Sequence, residues 1–113
     1  MKTDRELLEL AAKAAGHCVA ACCDGKYWKT ETPESEGIEH WNPLESDGDA
    51  LRLAVKLRLE CMYEATELGP CHCQFWIAGE GFKQVTEHLN DDPYAATRRA
   101  ITRAAAAIGE GMK

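Results

Sequence analysis

Six cysteines and four histidines among 113 residues are the groups most able to do chemistry. Cys18, Cys22 and Cys23 sit close together with His17 directly before them, Cys71 and Cys73 flank His72, and Cys61 stands apart. Zinc takes four nitrogen or sulfur ligands in a tetrahedron, so these groups could in principle supply a structural site. A thiol nucleophile would instead need a base within hydrogen-bond reach. The spacing speaks against both. Zinc-binding pairs sit on turns, whereas Cys71 and Cys73 alternate along a strand pattern and diverge from any single metal. His72 lies between them and points to the opposite face, as strand neighbours do. Cys18, Cys22 and Cys23 are left as weak metal candidates, and no catalytic residue is assigned. Buried reduced cysteine behaves as a small hydrophobe, which accounts for Cys61, Cys71 and Cys73 on the inward side of alternating strands.

The acids and bases also have structural explanations. Glu45, Asp47 and Asp49 precede one predicted helix, and Asp91 and Asp92 precede another. Carboxylates there cap backbone N–H groups and favour the helix dipole, and neither group has the spacing of a calcium loop. Arg98, Arg99 and Arg103 form the one local basic cluster and read as the solvated face of a helix. The sequence carries no Gly-rich phosphate loop, no G-x-S-x-G and no H-E-x-x-H. The expectation is a protein without enzymatic activity and without a cofactor.

Three capped helices and two sets of strands must position whatever site exists. Thr3-Asp4-Arg5-Glu6 has the form of a capping box and opens a helix that runs to Ala15 and stops at Gly16. Val19 to Cys23 and Lys26 to Thr30 read as a hairpin about Asp24-Gly25, a dipeptide suited to a type I′ turn. Pro33 to His40 reads as a surface loop. Ser46 or Asp47 caps a second helix, whose stripe is expected to be Ala50, Leu51, Ala54, Val55 and Leu57. Leu59 to Thr66, Cys71 to Ala78 and Phe82 to His88 alternate with short connections, predicting an antiparallel meander. Asp92-Pro93 starts the last helix, with Tyr94, Thr97, Ile101, Ala104, Ala105 and Ile108 on its apolar face and Gly109 at its end. The predicted fold is a single α+β domain spanning 1–113, an antiparallel sheet with three helices in the order α-β-β-α-β-β-β-α.

Composition narrows the function classes. A hydrophobic fraction of 45% and a charged fraction of 28% are ordinary for a globular chain, and no apolar run approaches the roughly 20 residues needed to span a bilayer. Acids among the leucines of MKTDRELLEL argue against an export signal, so the expected address is the cytoplasm. A net charge of −6 repels phosphate backbones, which predicts no direct nucleic-acid partner and no membrane partner. It suits docking on a basic protein surface. One face of the meander, with Met62, His72, Gln74, Trp76 and Phe82, is core if helices cover it and a partner surface if they do not.

Trp41-Asn42-Pro43, Asp49-Ala50 at a helix start, the meander, and the closing run Asp92-Pro93-Tyr94-Ala95-Ala96-Thr97-Arg98-Arg99-Ala100 together resemble the phage ABA sandwich domain family of small phage and prophage proteins. The cysteine-bearing stretches Cys18 to Cys23 and Cys71 to Cys73 are not part of that pattern. The resemblance implies helices on both faces of the sheet, α/β/α, and a phage setting in a host cell, with no mechanism attached. The leading expectation is an accessory protein that binds a host protein, such as a nucleic-acid-binding component of the defence machinery, in the manner of small acidic anti-CRISPR-like inhibitors. The alternatives are a small-molecule or zinc-binding domain near His17, Cys18, Cys22 or His72, and a structural homodimer.

Overall fold

The computed structural model describes residues 2–16, 18–22, 27–31, 39–63, 70–77, 79–88 and 92–112, with 18–22, 27–31 and 39–40 described by their backbone. The elements run α1 (Asp4–Ala15), β1 (Cys18–Cys22), β2 (Tyr27–Glu31), β3 (Glu39–Trp41), α2 (Asp47–Leu57), β4 (Glu60–Tyr63), β5 (Cys71–Ile77), β6 (Gly81–Glu87) and α3 (Pro93–Glu110). This is the expected α+β class and order with one further strand, β3, where the sequence reads as loop. Two antiparallel three-stranded sheets result, β1-β2-β3 and β4-β5-β6. The Asp24-Gly25 turn predicted between β1 and β2 lies outside the described residues, although the register Cys18↔Glu31 to Cys22↔Tyr27 is that of a hairpin.

The three helix starts form where cap chemistry places them. Thr3 Oγ1 accepts from the Glu6 amide at 3.2 Å, and the hydroxyl donates to the Glu6 carboxylate at 3.3 Å. Gly16 then ends α1 with φ +77°, a left-handed conformation that costs glycine nothing. Ser46, not Asp47, caps α2 by accepting from the Asp49 amide at 3.2 Å. At its other end Arg58 adopts φ 56°, an unusual left-handed cap for a residue with a Cβ. Asp92 accepts from the amides of Tyr94 and Ala95, with Pro93 opening α3.

One cluster of buried side chains joins Leu8, Ala11, Ala12 and Ala15 of α1, Ala50, Leu53 and Ala54 of α2, Ala100, Ile101, Ala104 and Ala105 of α3, Cys71, Cys73 and Phe75 of β5, and Trp41. Its helical members are mostly alanine, which lets helices approach closely. Gly109 marks one such close approach. A Cβ there would overlap the carbonyl oxygen of Leu10. Gly109 therefore lies inside α3 as a packing residue, and the helix continues through Glu110 to a cap at Gly111, correcting the expected stop.

The α2 stripe also differs from expectation. Ala50, Leu53 and Ala54 face the core, whereas Leu51 and Val55 are 64% and 68% exposed. A helix advances 100° per residue, so 50, 53, 54 and 57 form one face and 51 and 55 form its neighbour. In α3, Tyr94 likewise stands exposed at the helix start.

The stretch from Trp41 to Asp49 locks α2 to the core. Trp41, Asn42 and Pro43 are buried. The Asn42 amide donates to Asp49 Oδ2 at 2.9 Å, the Asn42 side-chain oxygen accepts from the Leu44 amide at 3.0 Å, and its carbonyl accepts from the amides of Glu45 and Ser46. Across from this turn, Arg98 donates to the Leu44 carbonyl at 2.9 Å and to Asp47 at 2.7 Å.

Candidate functional site

Register places the side chains of β4, β5 and β6 on two faces. The inner face carries Cys61 and Tyr63, then Cys71, Cys73, Phe75 and Ile77, then Val85, against α3. The outer face carries three cross-strand rows: Trp76 opposite Phe82; Gln84, Gln74 and Glu60; and Thr86, His72 and Met62. All five residues expected on one face are thus brought together. Glu60, Gln84 and Thr86 join them, and each follows from extending the same two-residue period into the flanking strands.

This outer face is open. Trp76 is 60%, Phe82 72% and Met62 42% exposed. Among the described residues, helices cover one face of the sheet only, so helices on both faces, which the resemblance implies, are not what surrounds β4-β5-β6. The alternation in β5 reads buried at Cys71, Cys73 and Phe75 and exposed at Trp76 because α3 packs against the side that carries the first three.

Two kinds of chemistry share the face. The rings of Trp76 and Phe82 meet edge to face with centroids 5.0 Å apart, the geometry that the aromatic quadrupole favours. Beside them the polar side chains bind one another. Gln74 Nε2 donates to Gln84 Oε1 at 3.1 Å, and Gln84 Nε2 lies 3.1 Å from His72 Nδ1 and 3.3 Å from Thr86 Oγ1. An amide nitrogen only donates, so His72 Nδ1 accepts from Gln84, and the Thr86 hydroxyl lies 2.9 Å from the same nitrogen. These bonds link Gln74, Gln84, His72 and Thr86 across β5 and β6.

The inner face holds a thiol cluster. Cys71 and Cys73 are fully buried and Cys61 is half-buried, all three as free thiols. Cys61 and Cys73 are direct register partners with Sγ atoms 3.1 Å apart. The contact with Cys73 lowers the Cys61 pKa, whereas that same contact and then burial push Cys73 up. Burial, followed by the charge on Cys61, also raises Cys71. Tyr63, opposite Cys71, is raised chiefly by desolvation and donates to Thr97 Oγ1 at 2.8 Å, the Thr97 proton being given to the Pro93 carbonyl. The inward placement of Cys61, Cys71 and Cys73 follows from the sequence. Their pairing does not.

The other candidates are placed as follows. Cys18 and Cys22 lie in β1, described by backbone, while Cys23 and His17 lie outside the described residues. No group of three or more metal-ligating side chains occurs among the described residues. Arg98, Arg99 and Arg103 do not form an open basic face. Arg98 pairs with Asp47, Arg99 with Asp4 at 3.1 Å, and Arg103 with Glu87 at 2.8 Å. Arg99 and Arg103 line a groove of about 500 Å³ between α3 and β6 together with Lys2, Glu87 and Glu110, and Lys2 pairs with Glu110 at 3.0 Å. Each base there meets an acid. No described helix is long and apolar enough to cross a membrane.

No family model, curated protein or solved structure matches this chain.

Proposed function

We propose that this chain is a non-enzymatic accessory protein of phage or prophage origin, acting in the host cytoplasm, that binds a host protein through the outer face of β4-β5-β6. The observation that carries this reading is the exposed Trp76–Phe82 pair, set beside Met62 and a row of polar side chains bonded to one another. Rigid exposed aromatics are the side chains that most often anchor protein interfaces, because they bury much area while losing little rotamer freedom. The polar side chains around them supply an ordered rim. A net charge of −6 suits approach to a basic surface, such as that of a nucleic-acid-binding defence component. The phage setting rests on the resemblance carried by Trp41-Asn42-Pro43, Asp49-Ala50 and the start of α3.

Tagged wild-type protein and Trp76→Ala are compared in pull-downs from host lysate at moderate salt. The expected result is one stoichiometric host partner that Trp76→Ala loses while its circular dichroism is unchanged. Failure to recover such a partner, or its equal retention by Trp76→Ala, rejects the reading. A second reading, self-association, is favoured by β4 and β6 each having one hydrogen-bonded neighbour among the described residues. Light scattering across a concentration series separates the two: a mass that rises with concentration equally in wild type and Trp76→Ala assigns self-association to the sheet edges, one that falls back in Trp76→Ala assigns the outer face to a homodimer, and a constant monomer mass rejects self-association.

A further inference from the structure

Cys61 and Cys73 face each other across β4 and β5, and their sulfurs lie 3.1 Å apart. Opposed residues of an antiparallel pair have Cα atoms about 4.5–5.5 Å apart. A disulfide spans Cα separations of about 4.4–6.8 Å, so the backbone already provides its geometry. The sulfurs need to close by only about 1 Å to reach bonding distance. Cys71 is less well placed for Cys61. Its opposed residue is Tyr63, and a diagonal pair across two strands is about 7–8 Å apart.

We propose that Cys61 and Cys73 form a reversible redox site, closing to a cross-strand disulfide when the chain meets a low-molecular-weight disulfide such as glutathione disulfide. Half-buried Cys61 is the sulfur that the reagent reaches, and the Cys73 thiol beside it supports the Cys61 thiolate. The Cys61 thiolate attacks one reagent sulfur, forming a mixed disulfide and expelling one reagent thiolate, which takes up the proton that Cys61 released. Cys73 Sγ then attacks Cys61 Sγ. The second reagent thiolate leaves with the Cys73 proton, and the S–S bond closes between β4 and β5. The chain loses two hydrogens and the reagent is reduced to two thiols. The product ties an edge strand covalently to the centre of its sheet, on the face opposite the proposed partner surface.

The full chain is equilibrated in glutathione buffers of increasing disulfide fraction and quenched with acid. Its thiols are alkylated with a light reagent, reduced, alkylated with a heavy reagent and mapped by peptide mass. Cys61 and Cys73 are expected to pass from light to heavy together, in a peptide pair two hydrogens lighter before reduction, with a raised thermal midpoint for the oxidised protein. Cys61→Ser, folded by circular dichroism, is expected to leave Cys73 reduced at every ratio; if that variant does not fold, the wild-type peptide map decides alone. Stable accumulation of a glutathione adduct on Cys61, oxidation of the two cysteines at different ratios, or a peptide joining Cys61 to any other cysteine overturns the proposal.

Discussion

The backbone amide of Asn42 donates to the carboxylate of Asp49 at 2.9 Å, closing the turn that leads into α2. The same carboxylate accepts from Arg52 at 2.7 Å through its other oxygen, and the Asp49 amide is itself the donor to the Ser46 cap. One residue thus serves the helix dipole, the cap and the preceding turn together.

Replacing Asp49 by Ala leaves the part-buried Asn42 amide without its acceptor and removes a charge from the first turn of α2. Loss of about 1–3 kcal/mol of unfolding free energy is expected in urea titrations. Asp47→Ala, which removes an exposed carboxylate paired with Arg98, is expected to cost less than about 1 kcal/mol. Equal costs for the two would reject the distinction.

Gly109→Ala is expected to destabilise by about 1–3 kcal/mol, because the added methyl overlaps the Leu10 carbonyl and can be relieved only by moving α1 away from α3. Gly111→Ala, where φ is −81° and the nearest atom to a Cβ is the Ile108 carbonyl oxygen at 3.6 Å, is expected to stay within about 0.5 kcal/mol of wild type. Thermal unfolding of the two variants side by side checks both.

Trp76→Ala and Phe82→Ala remove side chains that are mostly in solvent, so each is expected to cost no more than about 0.5–1.5 kcal/mol, the worth of the edge-to-face pair. Phe75→Ala, one position earlier on β5 and buried, is expected to cost about 3–5 kcal/mol. Denaturant midpoints of the three variants measure the asymmetry of the sheet directly.

Alkaline pH is expected to weaken the fold. Cys71 and Cys73 hold their protons in the native state above the ordinary thiol value of 9.0, so above that pH the native state binds more protons than the unfolded chain. Stability then falls with rising pH, by about 1.4 kcal/mol per pH unit for each thiol until its native value is reached. Cys61 acts in the opposite sense. Its lowered value adds stability as pH climbs towards 9.0 and nothing further beyond it. Chemical denaturation between pH 7 and 11 is expected to show this turnover, with a shallower alkaline limb in Cys71→Ala.

Much of the local structure was legible from residue types, because caps and turns are satisfied within a few residues. Thr3, Ser46, Asp92-Pro93 and Gly16 each act where short-range hydrogen bonding puts them. The two-residue period of β5 separated Cys71, Cys73 and Phe75 from His72, Gln74 and Trp76 for the same reason. Gly109 was misread because a glycine near a helix end can be a stop or a close-packing site, and only the position of α1 distinguishes them. Leu51 and Val55 were misread because apolar residues on two adjacent helix faces give one broad stripe, from which tertiary packing selects half.

By itself the sequence determined the α+β class, three helix starts and the composition of each face of β4-β5-β6, since these depend on local hydrogen bonding and side-chain periodicity. Tertiary structure alone decided which face of β4-β5-β6 receives α3, and hence that Trp76 and Phe82 stand in solvent. It also decided that Arg98, Arg99 and Arg103 meet Asp47, Asp4 and Glu87, and that Cys61 meets Cys73. The Arg98–Asp47 and Arg99–Asp4 pairs join segments far apart in the chain, while the Arg103–Glu87 and Cys61–Cys73 pairs depend on how neighbouring elements pack and register. A periodic pattern states that an element has two faces, but what lies against either face is set by the packing of all the others.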